Sequence, residues 1–259
     1  MNLDVVVYEV SDAIGVVRLN RPDTHNAINE PAIEALETIL DRVDADPAIR
    51  ALIITGTGPK SFCAGGDLHY FAMLNTREEG LAMSRRMQSL LNRLWLGSKP
   101  VIAAINGQAR GGGCELLTAC HFRIAASTAN FAYVQATKGV VTGWGGGARL
   151  FHLVGRSHAL KLLLMAEPID AAEAYRIGLI DQIEEPQNLL VASLKFAEKI
   201  SRHAPGVIAA ILELGRLHYN CNAKESTERE TELFGDRWTS EDFRKAIKDF
   251  QDKRLIRDE

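Results

Sequence analysis

Two glycine-rich breaks interrupt apolar runs of this sequence, Cys63-Ala64-Gly65-Gly66-Asp67 and Gly111-Gly112-Gly113-Cys114-Glu115. Each follows an apolar strand-like segment and precedes a stretch that can start a helix. Each can therefore aim backbone N–H groups, reinforced by a helix N-terminus, at an oxygen that gains negative charge. The expected donors are Gly66 and Gly112. Two such groups converging from separate loops stabilise an enolate or a tetrahedral intermediate, and losing one in a comparable site costs about 3 kcal/mol of transition-state stabilisation. The second break ends in Glu115, a carboxylate placed to move a proton beside a polarised carbonyl. Asp67, directly after a donor, reads as a helix cap rather than a catalytic acid. One glycine loop alone has an ordinary reading in turns and close packing, but two feeding one sheet edge point to chemistry at an activated acyl group.

The elements that must position these loops follow from periodicity. Val5–Val10 and Ile14–Leu19 are short β-branched segments separated by Ser11-Asp12, which predicts a hairpin or adjacent strands. From Asn29 to Val43 the period changes: Ile33, Leu36, Ile39, Leu40 and Val43 lie three or four apart, as on one helix face. Ala51–Gly56 and Val101–Gly107 are apolar strands, with a helix over Gly80–Leu96 between them carrying Met83, Met87, Leu90, Leu91 and Leu94. Strand, glycine turn, helix, strand and glycine turn argue for crossover units in a parallel or mixed α/β core. A further strand is expected at Phe122–Ala125, a loop at Ser127–Asn130, a flexible run at Gly143–Gly147, and a helix over Arg156–Leu164. Asp170 is the expected N-cap of another helix, with Gly178 as its stop. From Asn188 the chain is almost wholly helical in character, and Ser240-Glu241-Asp242 would open a last helix carrying Phe243, Ile247 and Phe250.

Composition excludes several classes of function. The 259 residues are 46% hydrophobic and 24% charged, enough for a sizeable core, and 30 basic against 33 acidic side chains give a net charge of −3, no field for nucleic acid. Four cysteines without a Cys-x-x-Cys pair fit a reducing compartment. No basic leader or bilayer-length apolar run is present, so the reading is cytoplasmic, with no membrane partner. No dinucleotide fingerprint, phosphate loop or nucleophile elbow occurs, and the histidines form no i, i+4 ligand pair, so no metal is expected.

Spread along the chain, Arg21-Pro22 with Asn26-Ala27, Phe62–Leu68, Asn106-Gly107 through Leu116, Trp144–Leu150 and Ala171–Leu179 together resemble the crotonase superfamily, the enoyl-CoA hydratase and isomerase family. The resemblance implies an α/β fold, a crotonase-like spiral of β-β-α units with a helical C-terminal trimerisation region. It implies a core over residues 1–195 holding a CoA-thioester site, and a region 196–259 for oligomerisation and completion of that site. It further implies an acyl-CoA substrate with CoA as part of it, no tightly bound cofactor, and self-association as a trimer or dimer of trimers. Gly66 and Gly112 take the oxyanion-hole positions. Ala64 takes the backbone contact to adenine, with Asp67 and Leu68 beside it, and Phe250 and Lys253 lie in the terminal helix that helps complete the CoA site. Tyr133 and Trp144 are expected to shape the substrate pocket.

Hydratases of this family use two glutamates, and only Glu115 matches; the second position carries Gln135. An amide cannot exchange a proton as a carboxylate does. The stretches Gly111–Cys120, Gly139–Gly146, Val154–Leu164 and Glu228–Trp238 are similar to ethylmalonyl-CoA decarboxylase-like members. The sequence thus favours a lyase that decarboxylates a short 2-carboxyacyl-CoA through a thioester enolate. The alternative is enoyl-CoA hydration or isomerisation at a single-glutamate site; thioester hydrolysis or carbon–carbon cleavage follows, and a non-enzymatic alternative is an RNA-binding or scaffolding protein of the same fold.

Overall fold

The structure, a computed structural model, describes residues 5–220, 223–238, 240–243 and 245. Strands β1 (Val6–Ser11) and β2 (Ile14–Leu19) form the expected antiparallel hairpin. Helix α1 (Glu30–Ala45) starts where Asn29 accepts a hydrogen bond from the Ala32 N–H at 3.2 Å, and it buries the predicted stripe from Ile33 to Val43. Then come β3 (Ala51–Gly56), β4 (Ser61–Cys63), α2 (Leu68–Phe71), α3 (Arg77–Leu96), β5 (Val101–Ile105), β6 (Gln108–Arg110) and α4 (Gly112–Thr118). They are followed by β7 (Phe122–Ala126), β8 (Asn130–Ala132), α5 (Gly146–Met165), β9 (Ile169–Asp170), α6 (Ala171–Arg176), β10 (Gln182–Glu184) and α7 (Leu189–Ser201).

Two sheets organise these elements. The larger runs β1-β2-β3-β5-β7-β10 and is parallel from β2 onward; the smaller runs β4-β6-β8-β9, its first three strands parallel. Successive stretches give one strand to each sheet before a helix: β3 and β4 before α2 and α3, β5 and β6 before α4, β7 and β8 before α5. That is the spiral of β-β-α units the resemblance implied. Every residue of β3 and β5 is buried, which is why both read as continuous apolar runs without alternation.

Three elements differ from the sequence reading. Helix α3 begins at Arg77, before Gly80, because Thr76 and Glu79 form a reciprocal capping box. The flexible run expected at Gly143–Gly147 is partly helical: α5 starts at Gly146 and passes through a non-helical Gly155, whose φ is 72°, into the segment expected over Arg156–Leu164. The loop expected at Ser127–Asn130 ends in β8, which starts at Asn130.

The chain divides into two compact units, Met1–Ser201 and Arg202–Glu259, the first ending with α7. Within the second unit, α8 (Pro205–Asn220) and α9 (Ala223–Trp238) are joined by an Arg229–Glu213 ion pair at 2.8 Å. Among the described residues no helix is long and apolar enough to cross a membrane.

Candidate active site

The smaller sheet assembles the site. Its parallel strands β4, β6 and β8 lie side by side, and their C-terminal ends release the Gly65-Gly66-Asp67 loop, the Gly111–Glu115 turn and the Tyr133–Gln135 segment respectively. Carboxyl ends of neighbouring parallel strands are where loops from distant parts of a chain converge. The Gly111 N–H donates to the Ala132 carbonyl at 2.9 Å, tying the second loop to the third. Gly65, with a φ of 88°, packs so tightly on the second loop that a methyl group there would sit 2.7 Å from the Gly112 nitrogen.

In each glycine loop the expected donor is the residue left open. Gly66 is half-buried between buried Gly65 and Asp67, and Gly112 is half-buried between buried Gly111 and Gly113. Among the described residues neither N–H has a hydrogen-bond acceptor. Gly112 is the first residue of α4, so its N–H cannot be used inside the helix. The Trp144 ring packs directly on Gly112, and the Phe71 ring on Gly66. Two unsatisfied N–H groups on touching loops, roofed by aromatic rings, can hold one oxygen anion.

Glu115 is only 2% exposed, yet both of its carboxylate oxygens accept hydrogen bonds. One oxygen accepts from Trp144 N at 2.7 Å and Gly146 N at 2.9 Å; the other accepts from Gln135 Nε2 at 3.0 Å and Gly143 N at 3.2 Å. Three donors are backbone groups at the start of α5, whose dipole favours the anion. Gly146 lets the helix start approach: a methyl there would strike the Glu115 side chain. Burial pushes the carboxyl above its usual range, and the four N–H donors oppose that shift without cancelling it. Four donors and no facing acceptor among the described partners are the hydrogen-bond set of an ionised carboxylate.

The other expected site residues divide sharply. Gln135 donates through Nε2 to Glu115, and its own Oε1 is buried without a partner. Trp144 is buried, its ring N–H 3.4 Å from Met83 Sδ. Asp67 is a structural anchor: it caps α2 by accepting from the His69 N–H at 2.9 Å and pairs with Arg21 at 2.8 Å. Ala64 is half-buried, its N–H bound to the His25 carbonyl at 3.0 Å, and Leu68 is 66% exposed. Tyr133 has no exposed surface, and its hydroxyl lies 3.5 Å from the Cys114 carbonyl, against the Glu115 turn. Phe250 and Lys253 lie outside the described residues.

Sequence reasoning assigned no role to Arg21, Asn26, Asn106 or Arg149, although all four stood in the motifs. Asn26 and Asn106 both donate to the Ser61 carbonyl, at 2.7 and 3.1 Å, fixing the strand that leads into the first glycine loop. Arg149 is buried and donates to the Trp144 carbonyl at 2.8 Å and Thr118 Oγ1 at 3.2 Å, locking α5 to α4 behind Glu115.

Comparison with known proteins bears on the family. A family model described as enoyl-CoA hydratase/isomerase matches residues 9–257. The chain is 36% identical over 256 residues to a short-chain-enoyl-CoA hydratase of Clostridium acetobutylicum, covering 99% of this chain and 98% of that protein. It is also 36% identical over 260 residues to a crotonyl-CoA hydratase of Syntrophomonas wolfei, covering 98% and 97%. Its fold matches the crystal structure of an enoyl-CoA hydratase from Bacillus anthracis with a TM-score of 0.92 at 29% identity, over 96% of each chain. These similarities run to proteins named as hydratases, which corrects the expectation that ethylmalonyl-CoA decarboxylase-like members are the nearer kin. With its sequence matched almost end to end and its β-β-α spiral shared, the chain belongs to the enoyl-CoA hydratase/isomerase family, and it is an enzyme of that superfamily.

Proposed function

We propose that this protein is an enoyl-CoA hydratase or isomerase working with a single carboxylate. The observation that carries the reading is the buried Glu115, its carboxylate oxygens accepting N–H donors, on the same helix start that offers the free Gly112 N–H. In hydration, Glu115 takes a proton from water while the water oxygen attacks the β-carbon of a 2-enoyl thioester. The displaced electron pair moves onto the thioester oxygen, held by the Gly66 and Gly112 N–H groups. Glu115 then returns the proton to the α-carbon, giving the 3-hydroxyacyl thioester. Gln135 fixes Glu115 through Nε2 and offers its unpartnered Oε1 to the second hydrogen of the water. Isomerisation uses the same base to take a proton at one carbon and return it at another. CoA enters as part of the substrate, and no tightly bound cofactor is needed.

Decarboxylation of a 2-carboxyacyl-CoA is the second reading, supported by the amide at Gln135. Against it, the anionic Glu115 would repel a substrate carboxylate at close range. The exposed Phe234 and Trp238 of the C-terminal helical region support a role for that region in self-association as a trimer or dimer of trimers. Crotonyl-CoA, ethylmalonyl-CoA and methylmalonyl-CoA tested side by side separate the readings. Hydration of crotonyl-CoA without carbon dioxide from the malonyl thioesters is expected. Carbon dioxide release with no hydration would replace the first reading by the second.

A further inference from the structure

The peptide joining Gly143 to Trp144 faces two ways. Its N–H, belonging to Trp144, donates to Glu115 Oε2 at 2.7 Å. Its carbonyl, belonging to Gly143, accepts from Ser84 Oγ at 2.6 Å and from Gln88 Nε2 at 3.0 Å. Gln88 Nε2 also lies 3.2 Å from Ser84 Oγ, so the two side chains, one helical turn apart on α3, act on the carbonyl together. A third contact from the same helix, Met83 Sδ to the Trp144 ring N–H, holds the other side of this loop. Neither Ser84 nor Gln88 bonds to Glu115 itself.

We propose that Ser84 and Gln88 are positioning residues for Glu115, acting through the Gly143–Trp144 peptide. Hydrogen bonds to a carbonyl fix the orientation of the peptide plane and polarise the N–H at its far end, strengthening what that N–H donates. The inference rests on the reading of Glu115 as the base. It adds that the proton affinity of the base is set partly from α3, an element that contributes no carboxylate, amine or imidazole to it. The ionisable groups facing Glu115 are Cys114 on its own helix, Tyr133 after β8 and Arg149 on α5. Burial raises the Cys114 thiol and the Tyr133 phenol, so both stay neutral near pH 7. Burial lowers Arg149, which Glu115 counters, and a guanidinium so placed keeps its charge. Glu115, whose carboxyl burial raises, is the member of this set that the acid limb follows.

The test is the pH dependence of kcat/KM for crotonyl-CoA hydration in S84A, S84T and Q88A, with E115Q measured alongside. Without the Ser84 hydroxyl the Trp144 N–H donates more weakly, the anion of Glu115 is less favoured, and the acid limb moves to higher pH. We expect a shift of about half a pH unit in S84A with KM little changed. We also expect a smaller shift of the same sign in Q88A, and a wild-type profile in S84T. Gln88 is exposed, so its variant keeps the test informative if S84A folds poorly. Unmoved acid limbs in S84A and Q88A, with E115Q inactive, would overturn the positioning role while leaving Glu115 as the base. Wild-type turnover in E115Q would remove the base assignment and this inference with it.

Discussion

The two glycine loops arrive at one site but are fastened in opposite ways. The Gly66 loop is held from outside: Arg21 pairs with Asp67, the Asp67 cap starts a helix of four residues, and Leu68 beyond it is exposed. The Gly112 turn is held from within, where every residue from Gly113 to Cys120 is buried and Glu115 is gripped by four N–H donors. The difference matches what the proposed roles ask of each loop. A backbone donor needs only a fixed position, and a charge pair behind it supplies that. A base must also be held at a chosen proton affinity, and this takes burial together with a counted set of hydrogen bonds.

The contrast is broken most severely at the buried side. E115Q removes the proton carrier while keeping the shape, so kcat for hydration should fall by about 10² to 10⁴ with thioester binding nearly unchanged, measured by single-turnover kinetics and equilibrium binding. G112A should cost about 10² in kcat/KM, because the added methyl strikes the Trp144 ring and tilts the donor; steady-state kinetics beside a thermal-unfolding control reads this.

Q135E sharpens the comparison instead. It would set a second carboxylate at the 3.0 Å position now filled by an amide donor, so the pair would share a proton and the acid limb of the hydration profile should rise by about one unit. A limb that stays in place would mean that Gln135 does not govern the charge of Glu115. In the wild type, activity should be lost as pH falls through a Glu115 pKa above the usual carboxylate range.

The smallest effect on chemistry belongs to the outer loop. Arg21→Met leaves Asp67 buried without its partner, which should cost about 2 kcal/mol of stability at pH 7 by urea denaturation, between exposed and fully buried pairs, and less than tenfold in turnover. Burial pushes Asp67 up, but the Arg21 and His69 contacts outweigh it and hold the carboxyl below its usual range. Its contribution is therefore full above the unfolded carboxylate pKa of about 3.9 and fades as pH falls through the lower folded value. The gap between wild type and variant should close in that acid window.

Legibility in the sequence followed the length scale of each signal. The five-residue stripe of α1 and the runs of β3 and β5 repeat often enough to show a period, and Asp67 was readable as a cap because capping is local. The strands that build the site, β4, β6 and β8, have three residues each, too few for any period. The start of α5 looked flexible because glycines that allow close approach to Glu115 are indistinguishable in sequence from glycines of a mobile loop. The donors around Glu115 lie 20 to 31 residues away in the chain, and the grip of Ser84 on Gly143 spans 59. Contacts of that reach leave no local trace. The burial of Tyr133 against the Glu115 turn is hidden for the same reason, since where an aromatic faces depends on what packs over it.

The proposed function turns on one oxygen anion held between the two loops with Glu115 at its side. A crystal structure with a bound, unreactive acyl-CoA tests this most directly. The thioester oxygen should lie about 2.7–3.1 Å from both the Gly66 and Gly112 nitrogens, with the β-carbon between Glu115 and Gln135. A thioester oxygen bound away from either nitrogen, or an acyl chain directed away from Glu115, would contradict it.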